Sequence, residues 1–532
     1  MQKINCDIKP YIQPFERKLA LAELRSLTGT DPHPIDGSAD RASKFYVPLN
    51  SGVEVLQSHL AYWEIVDGGR PEQTQQLRRE ATYAIARNGV SLNEMPAHIS
   101  SIREHKAPNK RCLRYGTHGL HEYRGKFFPQ LVRSLINIAR VPSDGTVVDP
   151  MCGSGTTIVE AASSGRTAIG LDMNPLSVYV SKVKCDLLHA DPRILITDFE
   201  ILTQGLRRKV PDLSARGHYN SLPTKDQEYL SQWFDISVLK ELDFVESCIR
   251  TLPHMHSQDL FTISLSNILR EVSWQKDADL RVRKEQTTIP AGFVIKRFLD
   301  EALRSAKSVV AFLTESSAGV PGRHKVIEGD ARTACALLPD HYGGVDAIIT
   351  SPPYATALPY LDTDRLSLIY LGLLSRPEHR SRDKLMIGNR EITEKTRRGM
   401  WEHYKGNKSF LPASIQDLID RVSRLNDGPD TGFRRRNTAA LLANYFFDMR
   451  EAITQNYGLL RSGGQMFMIV GNNRTVAGGQ EVLIETAKHL AELAMGAGFS
   501  LTEMLSMEML SSRDIFRANA TPSEFVISLR KS

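Results

Sequence analysis

Two stretches of this 532-residue chain place reactive groups where backbone geometry is most restricted. The first is TSPPYATALPY, Thr350–Tyr360, directly behind the apolar run VDAIIT. Adjacent prolines remove two backbone donors and hold the chain extended, which a strand ending at a ligand tolerates and a helix does not. Ser351, Pro352, Pro353 and Tyr354 thus offer a hydroxyl, stiffened carbonyls and an aromatic ring at one strand end. The second is VVDPMCGSGTT (147–157), in which an apolar run enters a glycine loop and then a helical run. Gly153 and Gly155 suit close approach of backbone to a ligand. Asp149, Pro150, Cys152, Ser154 and Thr156 complete the loop.

Strand-end acids narrow the ligand. Asp149 suits a cationic or amine-bearing group better than a pyrophosphate, and G-x-G-x-x-G dinucleotide loops keep that spot free of acid. Asp172, with Asn174 two residues on, ends the next apolar run and is placed to take two ribose hydroxyls. Asp330 ends a third and can accept from an adenine amino group. Each acid alone could be a helix N-cap. Together they describe a nucleoside ligand without phosphates, a description met by S-adenosylmethionine.

The elements needed to position these groups follow from hydrophobic period. Seven apolar runs qualify as strands: 146–150, 168–172, 325–330, 345–354, 463–473, 499–510 and 523–532. Most are separated by helical patterns and the last two are adjacent, which predicts an α/β, doubly wound, mostly parallel, seven-stranded Rossmann-like sheet. The expected organisation is an N-terminal accessory region (1–103), a donor-binding half (104–187), a mainly helical insertion (188–322) and a catalytic half (323–532) with a basic insertion (375–440). In the leading region, Pro14 and Gly29 bracket a predicted helix. Residues 104–126 hold six Lys/Arg, two acids, three histidines and two tyrosines, and read either as a phosphate contact or as a solvated connector.

These motifs resemble the amino-methylating DNA methyltransferases, which modify cytosine N4 or adenine N6. SPPY matches that family's S/N/D-P-P-Y/F/W motif, DPMCGSGTT its donor loop, and HEYRGKFFPQLVRSLI the segment covering the donor, with Lys126, Phe128 and Pro129 matching. The resemblance spans about 118–190 and 323–532. It implies S-adenosylmethionine as cofactor, Ser351 and the Pro352 carbonyl as acceptors from the target amino group, and Tyr354 as the ring stacked on a flipped base. Serine at the first motif position leans towards cytosine N4. The alternatives are adenine N6 methylation, an RNA guanine-N2 methyltransferase, whose related motif usually begins with Asp or Asn, and a catalytically silent DNA-binding subunit. A C5-cytosine enzyme needs a Pro-Cys nucleophile, which is absent.

Net charge is +6, so the distribution of charge decides what it means. From Arg376 to Lys408 there are ten Lys/Arg and five Asp/Glu, and GFRRRN follows. Arg390, Arg397, Arg398, Arg434, Arg435 and Arg436 are the candidate DNA contacts. The 188–322 insertion and this basic segment share target recognition in the expected scheme. Six scattered cysteines without a C-x-x-C pair predict neither a metal site nor a disulfide framework. No signal pattern or 18-residue apolar run is found, which predicts a cytoplasmic, nucleoid-associated protein without a membrane partner. Double-stranded DNA is the expected partner, with a restriction endonuclease or defence-system component as a further candidate.

Overall fold

The computed structural model describes all residues except 1, 50–51, 102–111, 124, 126, 215–216, 277–282, 317–318, 356–359, 391, 429–430 and 509–519. Near the N-terminus, five strands form an antiparallel sheet in the order β2-β3-β1-β4-β5: β1 Gln2–Ile8, β2 His33–Pro34, β3 Lys44–Leu49, β4 Trp63–Asp67 and β5 Pro71–Gln73. Of these, only the Lys44–Leu49 stretch stands out in sequence, because the others are short or weakly alternating. The predicted helix runs Pro14–Thr28 and stops at Gly29, whose φ of 72° is the left-handed cap conformation.

The large sheet contains β6 Thr146–Asp149, β7 Thr167–Asp172, β8 His324–Glu328, β9 Val345–Thr350, β10 Leu460–Ala477, β11 Gln480–Ile484, β12 Phe499–Glu508 and β13 Ala520–Lys531. Its order is β12-β13-β10-β9-β6-β7-β8, with β11 paired to the far end of β10. Strands β8, β7, β6, β9 and β10 pair in parallel, whereas β13 runs antiparallel to both β10 and β12. The seven predicted strands are all present, and β11 is an addition. The chain moves outward from β6 through β7 to β8 and returns on the opposite side of β6 as β9. A switch point therefore opens between the carboxyl ends of β6 and β9, where doubly wound sheets bind ligands.

Alternation along the strands divides the interior. Val147, Ala168, Ala347, Ile349, Phe467 and Ile469 join one buried cluster, while Val148, Ile169, Ile348, Met466 and Met468 join the other. This is the period-two signature of strands buried on both faces. The first cluster continues into the N-terminal sheet and the helical insertion, whose longest helix is Phe293–Ser316. The second lies beneath the helices Glu394–Asn407, Ala413–Leu425 and Phe433–Leu459.

Buried polar groups fasten the N-terminal region to the helix Pro129–Ile138. Lys9 Nζ pairs with Glu80 Oε1 at 2.7 Å, and Gln130 Nε2 donates to the same oxygen at 3.0 Å. Glu23 accepts from Asn137 Nδ2 at 2.9 Å and from the amides of Ala61 and Tyr62.

Of the segment 104–126, residues 104–111, 124 and 126, with five of its six Lys/Arg, lie outside the described residues. In its described part, Tyr115, His118, Leu120 and His121 are buried. Tyr115 Oη and His118 Nε2 meet Glu160 Oε1 at 2.7 and 2.8 Å, and Arg133 Nε reaches Glu160 Oε2 at 2.9 Å. Burial works against the Glu160 charge, but Arg133, His118 and Arg79 outweigh it and hold this carboxyl well below the usual range. Among the described residues, no helix is long and apolar enough to cross a membrane, and no group of three or more His, Cys, Asp or Glu could hold a metal ion.

Candidate active site

A cleft of about 1100 Å³, open mouth included, lies at the switch point. The loop after β6 supplies Pro150, Met151, Cys152, Gly153, Ser154 and Thr156. Its backbone is held from several sides: Cys152 N donates to Leu171 O, Ser181 Oγ to Gly153 O at 2.6 Å, and buried Lys184 Nζ to Ser154 O at 2.9 Å. A side chain at Gly155, with φ of 83°, would put its Cβ 2.7 Å from Ser181 Oγ, so this turn needs glycine for both conformation and space.

Asp172 ends β7 in the cleft wall, accepting from Gly153 N and Asn174 N, each at 2.8 Å. Burial raises its pKa to about 6 against the opposing effect of these amides. Asn174 caps the helix Pro175–Asp186 by accepting from Leu176 N, and its Nδ2 donates to Asp364 Oδ2 at 2.9 Å. That contact joins the donor side of the cleft to the helical stretch behind the SPPY motif. Asp149 sits off the cleft wall and is fully buried, accepting from Met151 N at 3.1 Å. Burial moves its pKa up to about 7, opposed by the Thr350 and Thr157 hydroxyls and the Met151 amide.

Asp330 also lines the cleft, but Arg332 already engages both of its oxygens, at 3.0 and 2.6 Å. The same guanidinium reaches Asp448 Oδ1 and the Leu385 carbonyl, each at 2.7 Å. With Arg382 Nη1 donating to Met173 O at 2.9 Å, it draws the start of the basic insertion onto the cleft. Met386 and Ile387 from that insertion consequently form part of the wall.

The motif at the end of β9 has a clear division of labour. The Pro353 carbonyl accepts from Tyr445 Oη, and Tyr354 Oη donates to Glu524 Oε1, both at 2.9 Å. Among the described residues, neither the Ser351 hydroxyl nor the Pro352 carbonyl has a hydrogen-bond partner, and both residues face the cleft.

Twelve sequence-identified residues thus meet on one wall: Pro150, Cys152, Gly153, Ser154, Thr156, Asp172, Asn174, Asp330 and the four of SPPY. Gly155 backs the loop against Ser181. The expected covering residues require correction. Tyr123, Gly125 and Phe127 line the cleft, whereas Phe128 is the N-cap and Pro129 the first residue of the helix Pro129–Ile138. Lys126 lies outside the described residues.

Sequence reading also missed Glu524, Tyr445, Arg332, Met386 and Ile387. Only the Met386–Ile387 pair carried a local signal, an apolar dipeptide inside a charged stretch. The candidate DNA contacts gather elsewhere. Arg397, Arg398 and Arg436 all act on the Glu394 carboxylate, and Arg434, Arg435 and Arg436 occupy the exposed first turn of Phe433–Leu459. Arg390 is exposed in the connection before Glu394–Asn407.

A donor without phosphates fits this cleft. Its described lining contains Asp172, Asp330 and Glu524 but no lysine or arginine, and Tyr123 comes within 2.8 Å of where a Gly153 Cβ would stand. Sheet order, switch-point cleft and acid-bearing strand ends together define the Rossmann-like methyltransferase fold class.

Comparison with known proteins agrees. Residues 121–191 match the family model described as UPF0020: RMKL-like, methyltransferase domain. The chain is 24% identical over 373 residues to the type II methyltransferase M.MvaI of Kocuria varians, covering 68% of this chain and 77% of that protein. It is 23% identical over 403 residues to the type II methyltransferase M.AvaI of Nostoc sp., covering 72% and 79%. A tRNA (guanine(10)-N2)-dimethyltransferase of Methanothermobacter thermautotrophicus is 28% identical over 110 residues, 21% of this chain and 27% of that one.

Proposed function

We propose that this protein is a site-specific DNA methyltransferase that moves a methyl group from S-adenosylmethionine to the exocyclic amino group of a flipped base, with cytosine N4 favoured. The observation that carries this reading is the pair of uncommitted acceptors, Ser351 Oγ and Pro352 O, beside an acid-lined donor cleft. Similarity to type II methyltransferases over about two thirds of the chain supports DNA as substrate, whereas similarity to the tRNA enzyme covers a fifth.

When bound, the donor supplies an electrophilic methyl group. The chain's contribution is positioning. Asp172 is placed for the ribose, Asn174 borders it, and Met386 and Ile387 help exclude water from the cleft. An exocyclic amine is a poor nucleophile because its lone pair is delocalised into the ring. Two acceptors on its hydrogens favour a pyramidal nitrogen and aim the lone pair at the methyl, without a covalent enzyme intermediate. Tyr445 fixes the Pro353 carbonyl, so the neighbouring Pro352 carbonyl is held in direction. Stacking on Tyr354, worth about 1–3 kcal/mol, offsets much of the extrusion cost of the base.

The arginines at 390, 397, 398 and 434–436 are the proposed phosphate contacts. Three cations in the first turn of a long helix oppose its dipole, an arrangement that phosphate would relieve. DNA as substrate implies a cytoplasmic, nucleoid-associated enzyme, and a restriction endonuclease partner belongs to the same proposal.

Incubation with unmodified DNA and the donor, followed by mass analysis of nucleosides, tests the reading. N4-methylcytosine is expected. N6-methyladenine would overturn the choice of base, and absence of any methylated base on varied DNA would overturn the function.

A further inference from the structure

Glu524 is a carboxyl in the cleft wall to which the methyl-transfer scheme gives no role. It comes from β13, the strand that reverses the sheet's direction. Register places Glu524 opposite Gly471 on β10 and opposite Met507 on β12. Its Oε1 accepts the Tyr354 hydroxyl at 2.9 Å. Gly471 is the second part of the arrangement. A Cβ there would stand 3.3 Å from Tyr354 Oη and 3.4–3.5 Å from ring carbons, so the glycine leaves a flat berth for the tyrosine beside β10. At the other end of the residue, Tyr445 Oη holds the Pro353 carbonyl immediately before Tyr354. The ring is therefore fixed at its backbone, along one side and at its hydroxyl, by groups on three different elements.

We propose that Glu524 is a positioning residue for the transfer reaction, anchoring the Tyr354 hydroxyl so that the ring is already in place as the platform on which the target base stacks. This deepens the proposed function and rests on Tyr354 being the base-stacking ring. A phenylalanine would supply the same stacking face, so the hydroxyl is explained by an anchoring partner, and Glu524 is that partner. Prior fixing matters because a stacking surface that must first be ordered returns less to the reaction than one already in place. Burial raises the carboxyl's pKa while the Tyr354 bond lowers it, as expected for a group held inside the protein for a contact.

The test is a double-mutant cycle on the full-length protein: Glu524→Ala, Glu524→Gln, Tyr354→Phe and the Glu524→Ala/Tyr354→Phe pair. Methylated nucleosides are quantified on unmodified DNA and donor affinity is measured by calorimetry. Glu524→Ala is expected to lower kcat about tenfold, the equivalent of one hydrogen bond to a charged group, with donor affinity unchanged. Tyr354→Phe should produce a similar loss, the pair should be no worse than either single change, and Glu524→Gln, which keeps an acceptor, should recover most of the rate. Multiplying losses in the pair, or an undiminished rate in Glu524→Ala, would overturn the inference while leaving the proposed reaction intact. A fall in donor affinity in Glu524→Ala would assign the residue to the donor wall and overturn it as well. Failure of the wild-type protein to methylate any base would remove the reading and the inference together.

Discussion

Asp172 is the residue on which donor binding should turn. Its pKa of about 6 reflects a carboxyl taken out of water, with two loop amides only partly compensating. A carboxylate that accepts ribose hydroxyls must be ionised, so donor binding favours the deprotonated form and releases a proton. Donor affinity should accordingly rise as pH increases through about 6 and level off above it, by up to roughly tenfold per unit below the midpoint. Calorimetry in two buffers of different ionisation heat would detect the released proton. Affinity that stays constant from pH 5 to 7.5, as order-of-magnitude limits of the window, would contradict the role.

The same scale separates two functions within the cleft. Tyr354→Ala should reduce methyl transfer far more than donor affinity, and Asp172→Ala should do the reverse. Equal losses of donor affinity in both would contradict the assignments. SPPY and the Asp149–Thr156 loop were legible because proline, glycine and strand-end acids announce themselves locally. Asp330 shows the limit of such reading. Its strand-end position is plain in sequence, but its capture by Arg332 is a matter of which side chains arrive beside it.

Among the elements, the helix after the donor loop depends on a buried charge network. Glu160, on the helix Thr156–Ser163, neutralises Arg133 on the helix Pro129–Ile138, and both are almost fully buried. Removing one partner leaves the other charge buried and uncompensated, so Glu160→Gln should destabilise the protein by about 3–5 kcal/mol, read as a lower Tm in thermal denaturation. A change below about 1 kcal/mol, the scale of an exposed pair, would show that the network is solvated.

A second element, the helix Arg376–Leu385 with Met386 and Ile387, is clasped to the cleft by Arg332 and Arg382. Arg332→Met should weaken donor binding about tenfold, consistent with the removal of one net charged hydrogen bond, although the residue belongs to no recognisable motif. Unchanged donor affinity would show that the insertion's attachment does not shape the pocket. The basic character of this insertion was evident from composition; that the residues just after its first helix also wall the donor cleft was not. A segment's composition reports its solvent and partners, whereas its docking site depends on carbonyls and carboxylates far away in the chain.

At the scale of the whole molecule, positive charge and cleft lie on connected elements: the basic helix Glu394–Asn407 follows the cleft-lining Met386–Ile387, and it packs with the long helix that begins at Arg434–Arg436. Replacing Arg434, Arg435 and Arg436 by glutamine should weaken DNA binding and reduce the slope of log affinity against log salt by about 0.9 for each phosphate that these arginines neutralise. A uniformly unchanged slope in a salt titration would place the DNA elsewhere.

The sequence by itself determined the α/β class, the seven principal strand positions, the order of donor loop before SPPY and the clustering of basic residues. Those features are written in local period, glycine and proline placement and composition, each readable within a few residues. Tertiary structure decided that Tyr123, Gly125 and Phe127 line the cleft, that Tyr115 and His118 are interior, and that an antiparallel N-terminal sheet shares the main core. It also brought Glu524 to Tyr354 across 170 positions of chain. Such pairings arise from sheet register and close packing, and a glutamate on an apolar strand gives no local sign of the tyrosine it will meet.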